Sequence, residues 1–186
     1  MPRYKKLWWN LVQQGMGRFI KIEELDLMLK RCVRSIEKVL LILLYYTGAR
    51  PSELLELTKE NFRTTEKTLF VSIPTKKRGE TRTIPLPLKN PRIRFVANYI
   101  DAIPSEIKFL KSRFKNIQSI KKFVYKVSEN KYTPYFFRHN LLSILANSGA
   151  SIYELKTWKG AKSIKSVEPY IRLAGTDLKK FEKVLE

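Results

Sequence analysis

Apolar residues at Leu25, Met28, Leu29, Cys32, Ile36, Val39, Leu40, Leu43 and Leu44 recur at three- and four-residue spacing. That spacing lays an apolar stripe along a helix, and residues 20–47 are predicted as two helices divided near Arg34. "TGARPSELLEL" (47–57) turns through Gly48 and Pro51 into a further helical stretch. The period then changes. "TLFVSIP" (68–74) and "TRTIPL" (81–86) read as strands, and the linker "TKKRGE" makes them a hairpin with a basic tip. Residues 91–129 are mostly helical, interrupted at Pro104, and lysine-rich from Lys108 to Lys126. After a turn at Asn130–Pro134, "YFFRHNLLSILANSG" is a helix closed by Gly149. Two or three short helices finish the chain, with Thr176 an expected N-cap. The expected class is α+β, mainly helical, with a small antiparallel sheet or hairpin.

A chain of 186 residues is long enough to bury one sizeable core. Residues 1–19, which mix basic residues with Trp8 and Trp9, read as an arm, 20–174 as the domain and 175–186 as a tail. The two tryptophans can stack on a ligand or pack on the core. The longest apolar run, "VLLILLYY" (39–46), is too short to span a bilayer, and the N-terminus lacks the basic–apolar–small order of a secretory signal. Cys32 stands alone in an apolar pattern, so it reads as a buried thiol and forms no internal disulfide. A cytosolic protein is expected.

Charge adds a statement about partners. Lys and Arg number 37 against 17 Asp and Glu, a formal net charge of +20. No fold requires that imbalance, and a field of this sign concentrates polyanions, nucleic acid first among them.

Four pieces carry candidate chemistry, each with an ordinary structural alternative. Arg50 follows a helix–glycine turn, where a solvated surface arginine is common. Lys76, Lys77 and Arg78 sit at the hairpin tip, a place from which a cation reaches into a groove without disturbing the core. Tyr135, Arg138 and His139 lie at i, i+3 and i+4, one face of a helix at about 100° per residue, while Phe136, Phe137 and Leu141 point elsewhere. Tyr170 follows Pro169, which favours a first helical turn where negative charge is stabilised. A packed aromatic is the plainer reading of a lone tyrosine.

The order and spacing of these pieces are far more specific than any one of them. "TGARPSELLEL", a lysine-bearing hairpin ending in "IPL", then "YFFRH", then "KGAKSIKSVEPYI" resembles the catalytic domain of the tyrosine recombinases, the phage integrase family, over roughly residues 20–174. The resemblance implies that fold. It makes Arg50 the first arginine, Glu53 a structural acid, Arg138 the second arginine, Tyr170 the nucleophile and His139 a supporting residue. The hairpin lysine falls on Lys77, eight residues before Pro85, with Lys76 as the neighbouring choice. Two positions depart from the family pattern. Tyr135 replaces the first histidine of H-x-x-R-H, and Ala161 replaces the His or Trp of the L-G-H-x-S box, a role then empty or filled by Lys162, Trp158 or another subunit. Variation at the first of these positions points to an archaeal virus or plasmid.

The implied reaction is attack of Tyr170 on a DNA phosphodiester, giving a 3′-phosphotyrosyl bond and a free 5′-hydroxyl, without metal or nucleotide cofactor. Arg50 and Arg138 would clamp the non-bridging oxygens and Lys77 would protonate the leaving oxygen. Tyr135, with an ordinary pKa of about 10, is a poor base, so Tyr135→His is expected to speed cleavage. Double-stranded DNA is the expected partner, held by Lys76, Arg78, Lys108, Lys111, Arg113, Lys115, Lys121 and Lys122. A tetramer on paired sites through exchange of the C-terminal tail, and a monomer when free, are also implied. Fewer than about twenty residues stand where family members carry a core-binding domain, so a fragment and a minimal enzyme are both open. A type IB topoisomerase-like relaxase shares the same site, and a decayed relative that only binds DNA would explain Tyr135 and Ala161.

Overall fold

The computed structural model describes residues 19–74 and 81–174. The hairpin tip with Lys76, Lys77 and Arg78, the tail with Thr176, and the N-terminal arm up to residue 18, Trp8 and Trp9 included, lie outside the described residues.

The predicted pair of helices is present as α1 (Ile22–Lys30) and α2 (Ser35–Thr47), with the break at Arg34. In α2 the six consecutive residues Val39 to Leu44 are all buried, including Leu41 and Ile42, which lie off the predicted stripe. A helix apolar all round belongs at the centre of a domain. Accordingly α1, α4 (Pro91–Ala102) and α6 (Pro134–Asn147) pack around it. Cys32 is buried as expected, with its Sγ donating to the Met28 carbonyl, and burial pushes its thiol up to about 12.

One helical turn, α3 (Pro51–Leu54), leads into a three-stranded antiparallel sheet of order β1-β2-β3: β1 (Phe62–Thr64), β2 (Thr68–Pro74) and β3 (Thr81–Pro87). The predicted strands are β2 and β3. Strand β1 was not predicted: three residues carry no readable period, and it forms by pairing Phe62, Arg63 and Thr64 with Val71, Phe70 and Leu69. Leu69, Val71 and Ile73 alternate inward on β2, as do Ile84 and Leu86 on β3. Arg82 falls on the same inward phase, opposite Ile73.

The expected interruption near Pro104 separates α4 from α5 (Ile117–Val127), with a 3₁₀ turn at Phe109–Ser112 between them. Thr133 caps α6 by accepting from the Phe136 N–H, and Pro134 occupies its first position. The Gly149 and Ala150 amides close its far end on Ala146 and Leu145, as expected of a glycine terminus. Then come α7 (Ile152–Lys159), a 3₁₀ turn at Ile164–Ser166 and α8 (Glu168–Ala174). These last elements hold a second, smaller core of Leu142, Ala146, Leu155, Val167 and Tyr170, separate from the main one.

Candidate active site

Arg50 precedes the single turn α3, and its backbone N–H donates to Oε2 of Glu53 at 2.8 Å while its Nη1 donates to Oε1 at 2.6 Å. Arg82 reaches the same carboxylate from β3, Nη2 to Oε2 at 2.7 Å. Glu53 therefore fastens the turn to the hairpin. Burial alone would raise its pKa, but the hydrogen bond and charge of Arg82, with those of Arg50, hold it below the usual carboxylate value. The Arg82 side chain is 6% exposed, and its Nε and Nη1 make no hydrogen bond among the described residues. Sequence reasoning missed Arg82. The signal that could have found it is its place on the apolar phase of "TRTIPL".

Arg138 is 5% exposed and joins two helix ends. Its Nη1 donates to the Gly48 carbonyl at 2.7 Å, and its Nη2 donates to the Lys159 carbonyl. Gly48 ends α2 in the left-handed region at φ 59°, and Lys159 is the last residue of α7 before Gly160. Carbonyls at helix C-termini lack partners within the helix and carry partial negative charge, so one guanidinium satisfies both ends. Desolvation, with Arg50 beside it, pulls Arg138 down to about 10. Arg50, Arg82 and Arg138 set three cations against the one carboxylate of Glu53. That surplus attracts an anion.

His139 and Tyr170 are brought together. His139 Nδ1 and the Tyr170 hydroxyl share a hydrogen bond, and the two rings stack with centroids 5.9 Å apart at an interplanar angle of 28°. The Tyr170 residue is 2% exposed, and burial raises its pKa while Arg138 works in the opposite direction. Tyr170 does lie in the first turn of α8, and it is also a packed aromatic. His139 thus touches the predicted nucleophile directly.

Tyr135 sits at the rim of the site. It is 37% exposed, and its hydroxyl makes no hydrogen bond among the described residues. Of the neighbours named for the role of Ala161, Trp158 donates its indole N–H to the Thr47 carbonyl at 3.2 Å, next to the Gly48 carbonyl that Arg138 holds, and Lys162 is exposed. Lys159 holds its ammonium 5.2 Å from the centre of the Tyr170 ring. Lys159 was not among the predicted residues.

Three of the expected DNA-contacting cations have partners within the chain. Lys108 and Lys111 pair with Glu56 at 2.6 and 3.0 Å, and Arg113 pairs with Glu37 at 2.9 Å. Lys115, Lys121 and Lys122 form no salt bridge among the described residues, and Ile120, Phe123, Val124 and Val127 bury the opposite side of α5. Among the described residues no group of three His, Cys, Asp or Glu side chains comes together as metal ligands would, and no helix is long and apolar enough to cross a membrane.

A sequence model of the phage integrase family matches residues 18–176. The chain is 28% identical over 153 residues to tyrosine recombinase XerA of Pyrococcus furiosus, an archaeal relative; the match covers 77% of this chain and 52% of that protein. Among solved structures, XerH site-specific recombinase bound to its difH substrate superposes with a TM-score of 0.67 at 16% identity, covering 90% of this chain and 53% of that one. The catalytic domain of bacteriophage HP1 integrase superposes with a TM-score of 0.62 at 20% identity, covering 89% of this chain and 93% of that domain. The fold is that of these catalytic domains, and the chain spans about half the length of the Xer relatives.

Proposed function

This chain belongs to the phage integrase family, and from that premise we propose that it cleaves and rejoins DNA as a site-specific recombinase. The contact between His139 and the Tyr170 hydroxyl, beside the buried Arg138, carries the reading. With the ring proton on Nε2, Nδ1 accepts the phenolic proton as Tyr170 Oη attacks phosphorus. The bond from phosphorus to the 5′-oxygen breaks, and Lys77 protonates that oxygen. Arg50 and Arg138 receive the charge that develops on the non-bridging oxygens. Donors of this kind contribute about 3–4 kcal/mol each in acyl transfer, and comparable losses are expected here. The guanidiniums carry the electrostatic role that metal ions fill elsewhere, so the reaction needs neither metal nor nucleotide.

Attack requires the Tyr170 hydroxyl to leave its burial. Displacing α8 disturbs only the small second core and leaves the main core around α2 intact. Double-stranded DNA is the substrate, met by Lys115, Lys121 and Lys122, by the hairpin tip and by the N-terminal arm. Residues 20–174 form the catalytic domain, and the tail 175–186 docks on a neighbouring subunit in a tetramer on paired sites. The protein works in the cytoplasm of an archaeal cell that carries the element it mobilises.

Incubation with double-stranded DNA in the presence of a chelator tests the reading. It predicts a covalent protein–DNA adduct without metal or ATP, and no relaxation of a supercoiled plasmid that lacks the target site. Relaxation of any plasmid would identify a relaxase, and complete absence of adduct would leave a protein that only binds DNA.

A further inference from the structure

We propose that Lys159 is the positioning residue for the nucleophile, a cation that takes over next to Tyr170 where Ala161 offers no donor. This rests on the recombinase reading and assigns a residue to a function that the family places two positions later.

Several contacts of Lys159 converge. Its carbonyl accepts from Arg138 Nη2, so its backbone is tied to the second arginine. Its Nζ donates to the Ser166 carbonyl in the 3₁₀ turn that leads into α8. The same ammonium lies 5.2 Å from the Tyr170 ring centroid, in cation–π range. Local sequence fixes the residue there. Ser151 starts α7 with a reciprocal cap, its hydroxyl accepting from the Glu154 N–H and its own N–H donating to the Glu154 carboxylate. Gly160 ends the helix in the left-handed region at φ 57°, so Lys159 is held at its last position, facing α6 and α8.

Among the described residues, the charged and titratable groups around Tyr170 are Arg138 and His139 on α6 and Lys159 on α7, with Glu168 and Arg172 on its own helix. A cation against the ring favours the phenolate over the phenol and holds the ring on His139. Tyr170 loses its proton to His139 during attack, and Lys159 keeps its own. The link through Ser166 also carries the contact to the turn on which α8 would move.

The test is the pH–rate profile of adduct formation in single turnover for the full chain, Lys159→Met and Lys159→Arg. Methionine keeps the aliphatic stem at this half-buried position and removes the charge. Lys159→Met is expected to slow cleavage roughly 10-fold at neutral pH and to move the alkaline rise of the profile up by about one unit; Lys159→Arg restores most of both, and DNA affinity stays within about twofold. A second measurement follows the Tyr170 ring ¹³Cζ signal, assigned with Tyr170→Phe, through a pH titration of the free protein. Its midpoint is expected to rise in Lys159→Met. An unshifted profile and midpoint in Lys159→Met, or failure of arginine to rescue, would overturn the proposal while leaving the recombinase reading intact. Absence of adduct in the unmodified protein would instead defeat that reading, and the ¹³C titration would still decide the role of Lys159.

Discussion

Nδ1 of His139 and the hydroxyl of Tyr170, 31 residues apart in the chain, share a hydrogen bond inside the second core. Helix α6 places His139 next to Arg138, so in the proposed reaction the base and one phosphate-binding cation come from consecutive residues. On that reading His139 supplies the base although Tyr135 stands where the family pattern has a histidine.

Loss of that base is expected to slow cleavage about 10²–10⁴-fold in His139→Ala. DNA affinity, measured by anisotropy, should change little. A rate within a few-fold of the unmodified protein would show that His139 only packs against Tyr170.

Gly48 holds Arg138 through its carbonyl, and its left-handed backbone suits glycine. An added Cβ would lie 3.1 Å from Leu141 Cδ2 and 3.6 Å from the Arg138 Cα. Gly48→Ala should cost about 1–2 kcal/mol in backbone strain, lowering Tm by roughly 2–8 °C. Cleavage should fall further than stability does, since Arg138 moves with the turn. Calorimetry and adduct kinetics on one preparation check both.

Glu53 ties stability to acid. Its folded pKa lies below the ordinary 4.5, so its contribution is present above that value and is lost as pH falls through the folded pKa. Glu53→Gln leaves Arg50 and Arg82 facing a neutral group and should destabilise by about 3–5 kcal/mol at pH 7. The difference in stability between pH 7 and pH 4 should shrink in the variant. Glu37, held below 4.5 against its burial by the Arg34 backbone N–H and then by Arg113, and Glu56, held below 4.5 by Lys108 and Lys111, retain part of that dependence. Urea unfolding at the two pH values measures it.

DNA binding should weaken by roughly 10³–10⁵ between 50 and 200 mM salt if 6–10 phosphates are neutralised. Replacing Lys115, Lys121 and Lys122 together by alanine should flatten the slope of log affinity against log salt. Lys108→Ala should change it less, because Lys108 is paired with Glu56. Equal effects would mean that the ion pair opens on DNA.

Both long helices around Arg34, the paired strands and the capped helix after Thr133 were legible because period and punctuation are local properties. The candidate residues were legible as types in order: Arg50, Arg138 and Tyr170 were named from the sequence, and the fold brings Arg50 and Tyr170 within electrostatic reach of Arg138. What escaped was pairing across long separations. Nothing near Arg82 announces Glu53, 29 residues away, and nothing near Lys108 announces Glu56, 52 residues away. Lys159 escaped for another reason. The family pattern points at Ala161, whereas the last residue of α7, two positions earlier, sets its ammonium 5.2 Å from the tyrosine ring.

Attack of Tyr170 on DNA would leave a covalent bond that can be trapped. A nicked suicide duplex, in which the cleaved end diffuses away and traps the intermediate, tests it most directly. The unmodified protein should form a covalent adduct with DNA joined through a 3′-phosphate to the peptide containing Tyr170, and Tyr170→Phe should form none. An adduct that persists in Tyr170→Phe, or one that maps to another residue, would contradict the account.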